Sequence, residues 1–166
     1  MSLPPQMIHF LVYVLAPTLA AAAVDLAATC ATLPHDGVLH VPASVTRIPS
    51  KAFDRCAALK RIEFAPNSQL THIDDQAFAS SGIEHDRADP LQIPASVTAI
   101  GPFAFLGCKK LEKLQFASSS LLARIGKHAF YSTGLDCESV EEALDQIASR
   151  LPSNTWTSRY PCVQPE

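Results

Sequence analysis

Two histidines stand where chemistry could start: His72 is followed by Asp74 and Asp75, and His85 by Asp86. An imidazole beside carboxylates can begin a metal shell or serve as a general base. Neither cluster continues at a ligand spacing, so both histidines are expected to be solvated surface residues. Ser118-Ser119-Ser120 offers three hydroxyls, but no G-x-S-x-G elbow encloses them and no His/Asp pairing accompanies them. A phosphate-binding glycine loop is also missing from a chain with six glycines. These residues predict no catalytic site, no metal and no cofactor.

The elements that would carry these side chains repeat. VPASVT at Val41–Thr46 returns as IPASVT at Ile93–Thr98, and a shift of 52 positions superposes 20 identical residues among the 45 from Leu39 to Ile83. Half of that unit also recurs. I-x-x-x-A-F occurs four times, with Phe53, Phe78, Phe105 and Phe130 spaced 25, 27 and 25 apart. Cys30, Cys56, Gly82, Cys108 and Gly134 keep an interval of 26. A unit of this length cannot bury an apolar face alone and must stack on its neighbours. The three serines then fall in the turn that Pro66-Asn67-Ser68 occupies one double unit earlier.

Within each unit the clearest element is a strand. Leu39-His40-Val41, Ile62-Glu63-Phe64, Leu91-Gln92-Ile93 and Leu114-Gln115-Phe116 each set a polar residue between two apolar ones. One such strand per coil predicts a single parallel sheet with strands about 4.8 Å apart. Its inward ladders would be Leu39, Ile62, Leu91, Leu114 and Val41, Phe64, Ile93, Phe116. Opposite it, each A-F dipeptide is expected in a short helix or turn with its Phe filling the coil. Glu84 to Pro90 adds an extra polar loop before the third strand.

The flanks are different. Met7 to Val24 is almost wholly apolar and ends in Ala21-x-Ala23 ahead of Asp25, which fits a signal peptide over 1–23. No Lys or Arg precedes Arg47, so an uncleaved anchor and a buried N-terminal helix stay as alternatives. Residues 24–36 would form an N-terminal cap, 37–135 about four coils, and 136–166 a C-terminal cap. In that last cap Ser139 and Glu142 can form a capping box, followed by Val140, Leu144, Ile147 and Leu151 at helical spacing. A helix over 139–151 should cover the open end of the stack.

Five cysteines behind an apparent signal segment suggest oxidising conditions, yet an odd number cannot all pair within one chain. Cys56 and Cys108 are two coils apart, too far to bridge. Cys30-Ala31-Thr32-Leu33 mirrors Cys56-Ala57-Ala58-Leu59, so Cys30 and Cys56 could be joined across one coil, although two buried inert thiols are the reading preferred. Cys137 and Cys162 flank the capping helix, and a bridge would staple the tail to the last coil. Cys108, facing glycines in both neighbouring coils, is expected to be a buried free thiol.

Net charge is −3, which argues against nucleic acid as a partner. The body from Gly37 to Leu135 carries 11 Lys/Arg against 8 Asp/Glu, and the remainder from Asp136 carries 2 against 6. His40, Glu63, Gln92 and Gln115 should project from the sheet, flanked by Arg61 and Lys113. Repeat proteins bind through such extended faces, which makes these six the candidate partner-binding residues. Lys60-Arg61 and Lys109-Lys110 add a basic spot on alternate coils.

The run IPASVTAIGPFAFLGCKKLEKLQF from Ile93 to Phe116, with its in-phase copies from Gly37 to Leu135, resembles the BspA-like leucine-rich repeat proteins. The resemblance implies a leucine-rich repeat solenoid, secreted or displayed at a cell surface, that binds rather than catalyses. The expected partner is a protein or glycan of a cell surface or matrix, with no membrane association once the signal is removed. The alternative is a structural spacer or assembly unit of a wall or coat.

Overall fold

The computed structural model describes residues 30–135 together with Val140 and Leu144. A 3-10 helix at Cys30–Thr32 precedes eight strands. They are β1 (Val38–Val41), β2 (Arg47–Ile48), β3 (Arg61–Phe64), β4 (His72–Ile73), β5 (Leu91–Ile93), β6 (Ala99–Ile100), β7 (Leu114–Phe116) and β8 (Arg124–Ile125). Each coil contributes one longer strand and one of two residues. All pairings are parallel, as a solenoid climbing one coil at a time requires.

The four longer strands form where expected, but not as one sheet. β1 pairs with β3 and β5 with β7, while no pairing joins β3 to β5. The unbroken sheet is the other one, in the order β2-β4-β6-β8. Its inward ladder is Ile48, Ile73, Ile100 and Ile125, the isoleucines that open each I-x-x-x-A-F copy. The extra loop explains the break in the first face. It intervenes between coils two and three, where His85 bridges to Leu111 and displaces β5 from β3.

The A-F dipeptides lie in turns rather than helices. Here the backbone forms a third ladder. Phe53, Phe78 and Phe105 each donate an N–H to the alanine carbonyl of the next coil, Ala77, Ala104 and Ala129, all at 2.8 Å. Residues two before and two after each Phe adopt positive φ: Lys51 and Arg55, Gln76 and Ser80, Phe103 and Gly107, His128 and Ser132. Through the first three coils those residues also donate up the axis, for instance Lys51 to Asp75 at 3.1 Å and Arg55 to Ala79 at 2.7 Å. Left-handed backbone costs a non-glycine residue about 1–2 kcal/mol, and here it aims alternate N–H groups at the coil above.

Phe53, Phe78, Phe105 and Phe130 are fully buried and stack in one column. Their ring centroids are 5.5, 5.2 and 5.4 Å apart, with interplanar angles of 8°, 19° and 12°. Both predicted inward ladders are buried as well, apart from Phe64, which packs against the core while half-buried. Val140 and Leu144 are helical, buried and part of the same core. The rest of the helix expected over 139–151, the Cys137 and Cys162 pair, and the signal segment 1–23 lie outside the described residues.

Cys30 and Cys56 are bonded to each other, with Cα atoms 5.5 Å apart. This corrects the preference for two inert thiols. The 3-10 helix places Cys30 against the first coil at the position Cys56 holds one coil higher. Closing a loop with a separation of 26 should contribute about 3 kcal/mol. Cys108 is a buried free thiol, as expected, and the Gly134 N–H of the next coil donates to its carbonyl at 3.2 Å. Because the coils advance by 25 and 27, its Sγ meets Ser81 Oγ at 3.4 Å and donates to the Phe78 carbonyl at 3.1 Å.

Phe105 has a ring on either side, so Phe105→Ala should lower unfolding free energy by about 3–5 kcal/mol, measured by urea denaturation. Cys30→Ser should lower it by about 3 kcal/mol under oxidising conditions and change little once the parent protein is reduced.

Candidate interaction faces

The six residues singled out on the first face are brought to one side of the solenoid, but they are occupied with their own neighbours. His40 and Glu63, opposite each other on β1 and β3, approach to 3.1 Å between Nδ1 and Oε2. Gln92 Nε2 donates to Gln115 Oε1 at 3.0 Å across β5 and β7. Arg61 pairs with Asp89 of the extra loop. Lys113 is likewise engaged. The face is two panels of two strands with the loop between them.

That loop overturns one expectation. His85 is not solvated; it is 4 % exposed. Its Nε2 accepts the Ile62 N–H at 3.3 Å, and its Nδ1 lies 3.0 Å from the Asp89 carbonyl. The second contact requires a proton on Nδ1 and the first a lone pair on Nε2, so the imidazole is neutral with a fixed tautomer. Burial, reinforced by the Arg61 guanidinium, pushes its pKa down to about 4. Asp86 Oδ1 accepts the N–H groups of Ala88 and Asp89, both at 2.9 Å, which folds the loop back on itself. Glu84 pairs with Lys110, whose ammonium holds the carboxyl below its ordinary range. The basic spot around Arg61 and Lys110 is therefore partly covered by carboxylates of the loop.

His72 is half-buried and exchanges a hydrogen bond with Thr71 Oγ1 at 2.9 Å. It belongs to a face that strand alternation does not reveal. Arg47, His72, Ala99 and Arg124 are register partners across β2-β4-β6-β8. Beside this row the same coils present Asp74 and Asp75, then Gly101 and Pro102, then Gly126 and Lys127. Together they line a groove of about 590 Å³. Gly101 and Gly126 stand in its lining because the neighbouring coil fills the space a side chain would need. A Cβ on Gly101 would lie 2.6 Å from Asp75 Oδ1, and one on Gly126 2.2 Å from the Pro102 nitrogen. One wall is held by Arg47, whose Nη1 contacts both Asp74 oxygens at 2.6 and 2.9 Å. The available signal was the spacing of Arg-Ile, His-Ile, Ala-Ile and Arg-Ile, which matches that of the phenylalanines.

Among the described residues no group of three or more His, Cys, Asp or Glu side chains could hold a metal ion. The Cys108 thiol is pushed up to about 11 by burial, so it offers neither nucleophile nor ligand at neutral pH. No helix among the described residues is long and apolar enough to cross a membrane. A model of the BspA type leucine rich repeat region matches residues 37–155 in six copies. The chain belongs to the BspA-type leucine-rich repeat family. It is also similar to the crystal structure of the pneumococcal vaccine antigen PcpA, at 37 % identity and a TM-score of 0.53. That match covers 58 % of this chain and 22 % of the antigen chain. No curated protein matches the sequence.

The folded protein keeps His85 neutral, with a pKa of about 4 against an ordinary 6.5. Its contribution to stability should be complete above pH 6.5, decline as pH falls toward 4, and be flat below that. The loss should total about 3 kcal/mol at most. Urea midpoints at pH 7, 5.5 and 4 should show this decline in the parent protein, and His85→Gln should lack the corresponding share of it.

Proposed function

We propose that this chain is a non-catalytic binding or adhesion module, secreted or surface-associated, that takes a protein or glycan partner through its sheet faces. One observation carries the reading. Polar side chains stand in register above a fully buried core, while His85 and the Cys108 thiol are buried. Such rows suit recognition, since each coil adds one more contact at strand spacing. The pneumococcal antigen match supports the surface location, and the Cys30–Cys56 bridge suits an oxidising compartment. His40, Arg61, Glu63, Gln92, Lys113 and Gln115 are proposed as contacts on the first face.

The test is retention of cell-surface and matrix components on the immobilised, disulfide-intact chain. A component retained by the parent and lost with Gln92→Lys/Gln115→Lys would support a role for the first face. Retention unaffected by that pair would move the contact to the other sheet. No retention by a folded chain would sink the binding reading.

A further inference from the structure

We propose that the groove over β2-β4-β6-β8 docks an extended peptide segment of the partner, with its acidic end at Arg124 and Lys127. This rests on the binding-module reading and gives it a second site and a partner chemistry. The charges of the groove are sorted along the solenoid axis. In the first two coils Arg47 is neutralised by Asp74, and Asp75 stays exposed beside them. Coil three contributes only Ala99, Ile100, Gly101 and Pro102 to the lining. Coil four adds two exposed cations, Arg124 and Lys127, and neither has a carboxylate partner among the described residues. Elsewhere on the body the loop neutralises Arg61 and Lys110. Lys51 and Lys109 also lack a carboxylate partner among the described residues, but they do not line this groove.

Distance sets the length of the segment. Arg124 is two strand spacings from His72, about 10 Å, which three extended residues span at about 3.3 Å each. The guanidinium of Arg124 matches a carboxylate in a two-pronged geometry, and Lys127 adds a second positive charge. At the opposite end Asp75 repels a further anion and favours a basic or neutral residue. A polyanionic glycan carries its charges evenly and would set some of them against Asp74 and Asp75. A peptide with one acidic end and one basic end avoids that conflict.

The experiment uses the full disulfide-intact chain and a labelled probe peptide, Glu-Glu-Ser-Gly-Ser-Lys, followed by fluorescence anisotropy at low and high salt. The expected result is salt-sensitive binding that Arg124→Glu/Lys127→Glu weakens by about tenfold or more. Both positions are exposed, so the variant should unfold at the parent's urea midpoint. Gln92→Lys/Gln115→Lys should leave probe binding unchanged. Absence of probe binding, unchanged binding by the double variant, or tighter binding of hexaglutamate or a sulfated oligosaccharide would each overturn the proposal. The extract experiment separates this failure from that of the broader reading. A component retained equally by the parent and by the Arg124/Lys127 variant leaves the module a binder and removes only the groove.

Discussion

Every coil of this protein must exchange backbone hydrogen bonds with the coils on either side, and that constraint organises the rest. Three parallel ladders satisfy it: the longer strands, the two-residue strands and the turns around each A-F dipeptide. The phenylalanine column follows from the ladders. Aromatic pairs favour offset-stacked or edge-to-face geometry, and these rings, within 19° of parallel at 5.2–5.5 Å, match the offset-stacked form. That separation is close to the strand spacing. The backbone pitch sets the ring geometry, and burial of four large side chains then stabilises the pitch. The left-handed residues beside Phe53, Phe78 and Phe105 persist for the same reason, because their local cost is offset by hydrogen bonds to the next coil.

Where one ladder is interrupted, a side chain takes the place of the backbone. The Ile62 N–H points toward the next coil and would be buried without a partner if β5 were merely pushed away. His85 reaches into the gap and supplies the acceptor, and the Asp89 carbonyl orients the ring. An imidazole with one donor and one acceptor nitrogen mimics the two sides of a peptide group. The extra loop is therefore integrated into the stack, anchored by His85 inside and by Glu84 and Asp89 outside. The same integration divides the first face and leaves the second ladder as the strand face that is continuous over all four coils.

Much of this was legible from residue spacing, because burial recurs at the period of the chain. The phenylalanine column, the inward ladders and the free Cys108 follow directly from the repeat. The second ladder was hidden because two residues are too few to show alternation, so its isoleucines looked like part of the following turn. His85 sits among Glu84, Asp86, Arg87 and Asp89, and a histidine in such company looks solvated. Its burial depends on a backbone vacancy in another coil. The Cys30 bridge needed the geometry of a segment that precedes the repeats. The 26-residue rhythm holds at the backbone, where the Gly82 and Gly134 N–H groups donate to the Cys56 and Cys108 carbonyls, while the Cys108 thiol itself meets Ser81.

Unequal coil length also has a consequence for how such an array grows. The unit that repeats with high identity is two coils long, and it carries the loop with it. Duplicating that unit would prolong the β2-β4-β6-β8 surface without a seam, while the opposite side would gain a further two-strand panel set off by another loop. An ancestor lengthened in this way acquires one smooth flank and one segmented flank from a single copying event. The two sides of the molecule would then be free to diverge toward different tasks.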